Sequence, residues 1–599
     1  MPLTLAWRRW LRCHPIATSL WLAGLCACST PAAPPVPVTP APTFRTVPVA
    51  VPSAPPAPAA LPTVPREPVA VGSAPPAPPA APYSAAVAAR FPEPAVAYRT
   101  PAFEPGRSGF TSNAELQSAL LALVQNGSAS NGQTRVGLLT LGTSQKGLPL
   151  QALLFTRNAD PSAAALRASA RPTVLLVGEQ HGDEPAGSEA LLVLAQQLAS
   201  GPLQGLLDRI NVLILPRANP DGAAARQRVT ASGIDANRDH LLLKTPEAQA
   251  QAQLVREFQP VVVVDAHEYT VVGRFLEKFG AVQRFDALVQ YAMTANLPPF
   301  ISKASEEWFR QPMIASLTRQ GLSADWYYTT STDLADKKVS MGGTQPDTGR
   351  NVNGLKNAIS FLIETRGVGI GKLDLARRVH TQVTAMSSVL GSAAAHAGDL
   401  LKLRQYVDAD VAAQACQGEM VVEAGPTSSE YALTMLDPVT GADKVVNVEW
   451  ASSLVLNALK SRSRPCGYWL AADQTDAVQR LRGLGVRVSQ LSEAGVLRGE
   501  TYRQTDQGTA REVGVRQDVR GSIADGGGVL RVQVELVSTL LDAPLGSYYV
   551  GLDQPLANLV IAALEPDTQN SYVANGILNG VASQARVLQR PEVSMTVLP

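Results

Sequence analysis

Four short aliphatic runs do most to limit what this chain can fold into: Thr173–Val177, Asn211–Leu215, Val261–Val264 and Ile359–Ile363. None has a polar face. A strand built from such a run must be covered on both sides, the condition of strands inside a largely parallel α/β sheet. Helical patterning lies between the runs, as in Ser188–Ala199, and Leu373–Ala397 reads as a closing helix. Upstream, Ala114–Gln125 predicts an amphipathic helix and Arg135–Thr156 a hairpin-like pair of strands. Downstream, Gly467–Leu491 reads as strand–helix–strand, and Val529–Thr539 alternates apolar and polar residues as a strand does. The pattern predicts an α/β catalytic region at 106–398 and a second, mixed α/β domain at 399–599.

Before that region the chain is built differently. Arg8, Arg9 and Arg12 precede the apolar stretch Ile16–Leu25, the charge pattern of an export signal and too short to span a bilayer. The segment Leu25-Cys26-Ala27-Cys28-Ser29 resembles a bacterial lipobox, with small Ala27 ahead of Cys28. It implies a signal at 1–27, lipid on Cys28, and retention in the cell envelope at the outer membrane. From Pro31 to Pro105 Pro, Ala and Val dominate, and PVAVPSAPPAPAA is nearly repeated as PVAVGSAPPAPPA. Such a tract cannot pack a core of its own and favours extended polyproline II, so residues 28–105 read as a tether. A net charge of +1 over 599 residues gives no sign of a nucleic-acid partner.

The chemistry sits where the aliphatic runs end. His181 and Glu184 follow the first run, Asp265-Ala266-His267 the third, and Glu364 the fourth. Ligands of open α/β sheets bind beyond the carboxyl ends of the strands, so these groups can meet at one edge. Two His and one Glu with an open position are the donor set of a catalytic zinc site. His380 and His396 fall on the closing helix and read as structural. His240 is either a support for the site or merely exposed.

Between the runs lie Asn219-Pro220-Asp221-Gly222, then Arg228, then Gly233-Ile234-Asp235-Ala236-Asn237-Arg238. In this order, with H-x-x-E, D-x-H and the strand-borne Glu, the set resembles the zinc metallocarboxypeptidases related to carboxypeptidase A, over roughly Phe110 to Ala397. The resemblance implies a mixed, largely parallel eight-stranded sheet flanked by helices. It implies one zinc on His181, Glu184 and His267, with Glu364 as general base and Arg228 polarising the scissile carbonyl. Asn237 and Arg238 would grip the substrate's C-terminal carboxylate, and Asp235 would orient the first zinc histidine. The family's substrate-contacting tyrosine has no match between Val339 and Leu355, and Tyr327 and Tyr328 lie too far upstream in sequence. Arg350 falls near the lining of the family's specificity pocket, where it reads either as an acid-selecting group or as a solvated loop residue. Gly546–Pro566 resembles part of the domain appended to large bacterial exported members. In an exported chain Cys416 and Cys466 form either a disulfide or two buried thiols.

Three functions fit. A carboxypeptidase acting on peptides or cell-wall stem peptides with a free C-terminal carboxylate is favoured by the Asn-Pro-Asp-Gly turn and the Asn237-Arg238 pair. A zinc deacylase or amidase of acyl-amino acids would use a similar site. A non-catalytic peptide- or glycan-binding lipoprotein would be supported by loss of a ligand or of Glu364, and all are present.

Overall fold

The computed structural model describes residues 82–127, 134–331, 333–508 and 531–599. The export signal, Cys28 and most of the tether lie outside the described residues.

Among the described residues ten strands precede residue 370. They are β1 (Arg135–Thr143), β2 (Pro149–Thr156), β3 (Thr173–Gly178), β4 (Asn211–Leu215), β5 (Val262–Thr270), β6 (Ala287–Tyr291), β7 (Ala324–Trp326), β8 (Tyr328–Thr330), β9 (Lys338–Met341) and β10 (Ile359–Val368). Eight form one sheet in the order β1-β2-β4-β3-β5-β10-β6-β7. Its centre, β4-β3-β5-β10, is parallel, while β1-β2, β2-β4 and β10-β6 are antiparallel.

The aliphatic runs are this centre, and every residue of β3 and β4 is buried. Alternate side chains serve the two faces. Val174, Leu176, Val262 and Val264 pack with helices Ala186–Ser200 and Leu375–Ala395. Leu175, Val177, Leu213 and Val263 pack on the other side with Leu254 and Phe258 of helix Pro246–Phe258. Each fully buried Val or Leu contributes roughly 1.5–3 kcal/mol relative to leaving it in water.

Two boundaries differ from those the sequence suggests. The tether cannot extend to 105, because residues 82–105 pack onto the globular region. Val87 and Phe91 are buried, Tyr83 Oη donates to Asp374 at 2.7 Å, and the Arg366 guanidinium lies 3.5 Å from the Phe91 ring centre. A Pro/Ala tract makes no core, but the aromatics at its end can join an existing one.

The C-terminal part is likewise no separate body. β11 (Glu419–Leu436) and β12 (Asp443–Ser463) form a long antiparallel hairpin, and β12 pairs in parallel with β9, making the sheet β11-β12-β9-β8. Seven further strands form an antiparallel sheet. They are β13 (Gly467–Leu470), β14 (Ser489–Leu491), β15 (Gly495–Gly508), β16 (Arg531–Ala543), β17 (Tyr548–Gly551), β18 (Gln584–Val587) and β19 (Met595–Val597). One apolar cluster runs from Tyr83 to Leu578, and Pro78–Pro599 is a single compact unit. The expected division at 398/399 therefore does not separate two cores.

Cys416 and Cys466 are joined, with a sequence separation of 50, closing a loop that contains the whole β11–β12 hairpin. Replacing both by serine should cost about 4 kcal/mol in the chain-entropy model. Denaturant unfolding of oxidised protein and the double variant checks this, and equal midpoints would contradict it.

Candidate active site

The parallel centre brings the site together. β5 lies between β3 and β10, with Gly178 opposite Ala266 and His267 opposite Glu364. The loop leaving β3 carries His181 and Glu184 over the same edge. That loop lies flush on the Asn219-Pro220-Asp221-Gly222 turn, for a Cβ on Gly182 would come within 1.9 Å of the Gly222 backbone. The turn is fixed by Asn219 Oδ1, which accepts Gly222 N–H at 2.9 Å and caps helix Pro220–Ala225.

His181, Glu184 and His267 are all buried, and their donor atoms lie within 4.8 Å of one another. His181 Nδ1 is 2.8 Å from Glu184 Oε1, and His267 Nδ1 is 2.8 Å from Glu184 Oε2. Each outer nitrogen is backed by a carboxylate: His181 Nε2 by Asp235 at 3.0 Å, His267 Nε2 by Asp265 at 2.8 Å. An imidazole that donates its outer N–H turns the lone pair of its other nitrogen inward. The two Nδ1 atoms face each other at 3.0 Å beside a carboxylate, an arrangement that calls for a cation between them. The donor set and its backing fit zinc.

The electrostatics agree. Burial opposes charge on Glu184, yet both imidazoles hold its carboxyl well below the usual carboxylate range. Burial also works against ionised Asp235, but Arg228 and His181 outweigh it and keep the group low. Glu364 goes the other way: burial first, then the neighbouring Glu184 charge, push it up to about 7. Its Oε2 is buried without a hydrogen-bond partner among the described residues.

Arg228 grips Asp235 Oδ2 through Nε at 3.1 Å and Nη2 at 3.0 Å, while Nη1 reaches Glu184 at 3.3 Å. It therefore stands against the cluster of His181, Glu184 and His267. Arg238 lines the same cavity, of about 990 Å³, with His181, Arg228 and Glu364. Its neighbour Asp239 accepts instead from the backbone of Lys244 and Thr245 and from the Thr245 hydroxyl.

Asn237 borders the same cavity as Arg238. Its Oδ1 accepts Gly349 N–H at 2.8 Å, which fixes the side chain against the neighbouring loop, and its Nδ2 donates to Asp265 Oδ2 at 3.5 Å.

Arg350 is 4 % exposed, not a solvated loop residue. Its Nη2 donates to Gly343 O at 2.6 Å and its Nε is buried without a partner. Burial lowers its pKa to about 10. Tyr327 also lines the cavity, because the β8–β9 hairpin folds the intervening sequence back on itself.

His240 is buried and held down to about 4 by burial, its Nε2 2.7 Å from Gln180 Oε1. Gln180 Nε2 in turn donates to Asp265 at 2.6 Å. Gln180, Asp265 and His240 thus form a support behind His267, the first of the two readings the sequence allowed for His240, with Gln180 and Asp265 given no role by the sequence. The one available signal was the position of Asp265, two residues before His267 and on the same strand face. His380 Nδ1 meets Tyr98 Oη at 2.6 Å and His396 stacks on Trp308, both away from the site.

Residues 126–370 match the family model described as zinc carboxypeptidase. Carboxypeptidase 2 of Trichophyton rubrum is 29% identical over 427 residues, covering 70% of this chain and 75% of that protein. Carboxypeptidase D of Mus musculus is 36% identical over 120 residues, 18% of this chain and 9% of that one. Among solved structures, a metallo-carboxypeptidase from Burkholderia cenocepacia overlaps with a TM-score of 0.33 at 16% identity, over 47% of this chain and 68% of that one.

Proposed function

We propose, from the match of residues 126–370 to the zinc carboxypeptidase family model and the likeness to carboxypeptidase 2, that this peptide hydrolase is a zinc-dependent enzyme that removes the C-terminal residue of peptides with a free carboxylate. The observation that carries this reading is the convergence of His181, Glu184 and His267 beside an unpartnered Glu364 Oε2 in a cavity also lined by Arg228 and Arg238.

When bound, zinc supplies Lewis acidity, lowering the pKa of water towards ~7 and polarising a carbonyl. The remaining work falls to the chain's own groups. Glu364 Oε2 accepts the proton of the attacking water and returns it to the leaving amine. Arg228, oriented by Asp235, stabilises charge developing on the carbonyl oxygen. Arg238 pairs with the terminal carboxylate in the planar geometry a guanidinium favours. Arg350 is a further buried cation in the same cavity. A substrate whose last side chain is itself acidic would supply its counter-charge, so a C-terminal Glu or Asp is the preferred residue.

One peptide series tests this. Free-acid peptides should lose single C-terminal residues, those ending in Glu fastest, while their C-terminal amides stay intact. Arg238→Ala should lose on the order of 2–5 kcal/mol in kcat/KM on the free acids if the ion pair is desolvated. Equal cleavage of acid and amide would mean that the carboxylate is not recognised. The deacylase alternative predicts instead turnover of acyl-amino acids with no peptide cleavage.

We also propose that the enzyme is exported and lipid-anchored through Cys28 in a bacterial envelope, on the strength of the basic start, the apolar stretch and the lipobox-like Leu25–Ser29. Cell-wall stem peptides would then be within reach of the tethered domain.

A further inference from the structure

The cavity that holds Glu364 is not walled by residues 126–370 alone. β12 lies beside β9 with Glu449, Trp450 and Ala451 opposite Lys338, Val339 and Ser340. Residues opposite each other in a sheet share a face, and Ala451 and Ser340 both line the cavity. Trp450 faces the other way. It is buried against Tyr328 and Tyr431, with ring centres 5.9 and 4.8 Å away. A slip of one residue would turn Trp450 out and Ala451 in, so this packing pins the register.

Two residues further on, the pairing with β11 is irregular between Pro426/Leu456 and Thr427/Ser452. The irregularity turns Ser453 inward, to 4 % exposure, and its Oγ donates to Gly342 O at 3.1 Å. Gln290 Nε2 donates to the same carbonyl at 3.1 Å. The next carbonyl, Gly343 O, receives Arg350 Nη2. There is no slack between these groups: a Cβ on Gly342 would come within 2.8 Å of that Nη2.

We infer that the β11–β12 hairpin, which lies outside the matched residues 126–370, is part of the substrate-binding site. Ala451 forms one wall of it. Ser453 is a positioning residue, holding the Gly342–Gly343 segment on which Arg350 rests. The wall is small and uncharged, so it selects by bulk, while the Ser453–Gly342 contact acts on the acidic preference through Arg350. The inference rests on the reading of the cavity as a peptide site.

The test uses the full chain and a panel of N-acylated peptides that vary in length and in the size of the C-terminal residue. Ala451→Trp should raise KM about tenfold or more for the bulkier members, with zinc content retained and the loss falling in KM rather than kcat. Ser453→Ala should raise KM several-fold, on the order of 1 kcal/mol or less for one hydrogen bond, chiefly for peptides ending in Glu, and Ser453→Thr should restore it. Ala451→Leu provides the same reading in smaller measure should the tryptophan variant fail to fold. KM within about twofold of wild type across the panel, with zinc retained, would overturn the wall. Calorimetric binding of the same peptides in the Glu364→Gln background separates the two readings. A chain with Glu364 intact that binds these peptides but does not cleave them defeats only the hydrolase reading, whereas unchanged binding after Ala451→Trp in the Glu364→Gln background defeats the wall.

Discussion

Replacing Glu364 with glutamine should abolish turnover and leave zinc at one per chain. The side chain keeps its size, so the packing around it is preserved. What disappears is the only atom in the proposed mechanism that accepts a proton from water. Glu364 lies on β10 opposite His267, and its Oε2 has no hydrogen-bond partner among the described residues, so the substitution breaks no hydrogen bond of that atom there. General-base catalysis contributes roughly 10²–10⁴-fold, which sets the expected loss in kcat. The pH profile carries a second signature. Burial and the Glu184 charge raise the Glu364 carboxyl to about 7, and a cation held by the cluster lowers it from there. The base works only when ionised, so kcat/KM should fall as pH drops through that pKa, giving an acid limb at or below neutrality. Substantial activity in Glu364→Gln would end the mechanism, and zinc analysis of the same sample excludes trivial metal loss.

His267→Ala should leave the protein essentially metal-free after dialysis, with activity lost in proportion. Among the described residues three protein donors converge, and His267 is the one held by the deepest support. Asp265 backs its Nε2, Gln180 backs Asp265, and His240 backs Gln180. Removing the imidazole leaves two ligands and a buried Asp265 without its main partner. The graded version is Asp265→Asn, which keeps all three ligands but loses the charge that orients one of them. It should weaken zinc affinity about 10–100-fold. Chelator competition measures both. Full zinc occupancy in His267→Ala would show that the cluster is not the metal site.

How much was legible in the sequence depended on the range of the interaction. The aliphatic runs had no polar face, so burial on both sides followed from composition alone, and β3, β4, β5 and β10 are where they were expected. Because ligands gather beyond strand carboxyl ends, the same argument brought His181, Glu184, His267 and Glu364 to one edge without any knowledge of the register. The loop that holds Asn237 lay beyond that argument, because its 2.8 Å contact is with Gly349, more than a hundred residues away. Arg350 could equally have been solvent-facing, since nothing local to an arginine records whether a cavity will close around it.

The C-terminal half was least legible. The β11–β12 hairpin contains Gly425 and Pro426 within β11 and has exposed apolar residues such as Leu454 and Val455, so its pattern resembles neither a clean amphipathic strand nor a loop. Its role comes from pairing with β9, about a hundred residues earlier, which local propensity does not encode. The sequence by itself therefore determined the buried sheet and the metal-ligand set, because each rests on side-chain types at short spacing. Tertiary structure alone decided which arginine is buried, which loop holds Asn237, and which strand walls the cavity, because those outcomes depend on long-range register and on the closing of a shared interior.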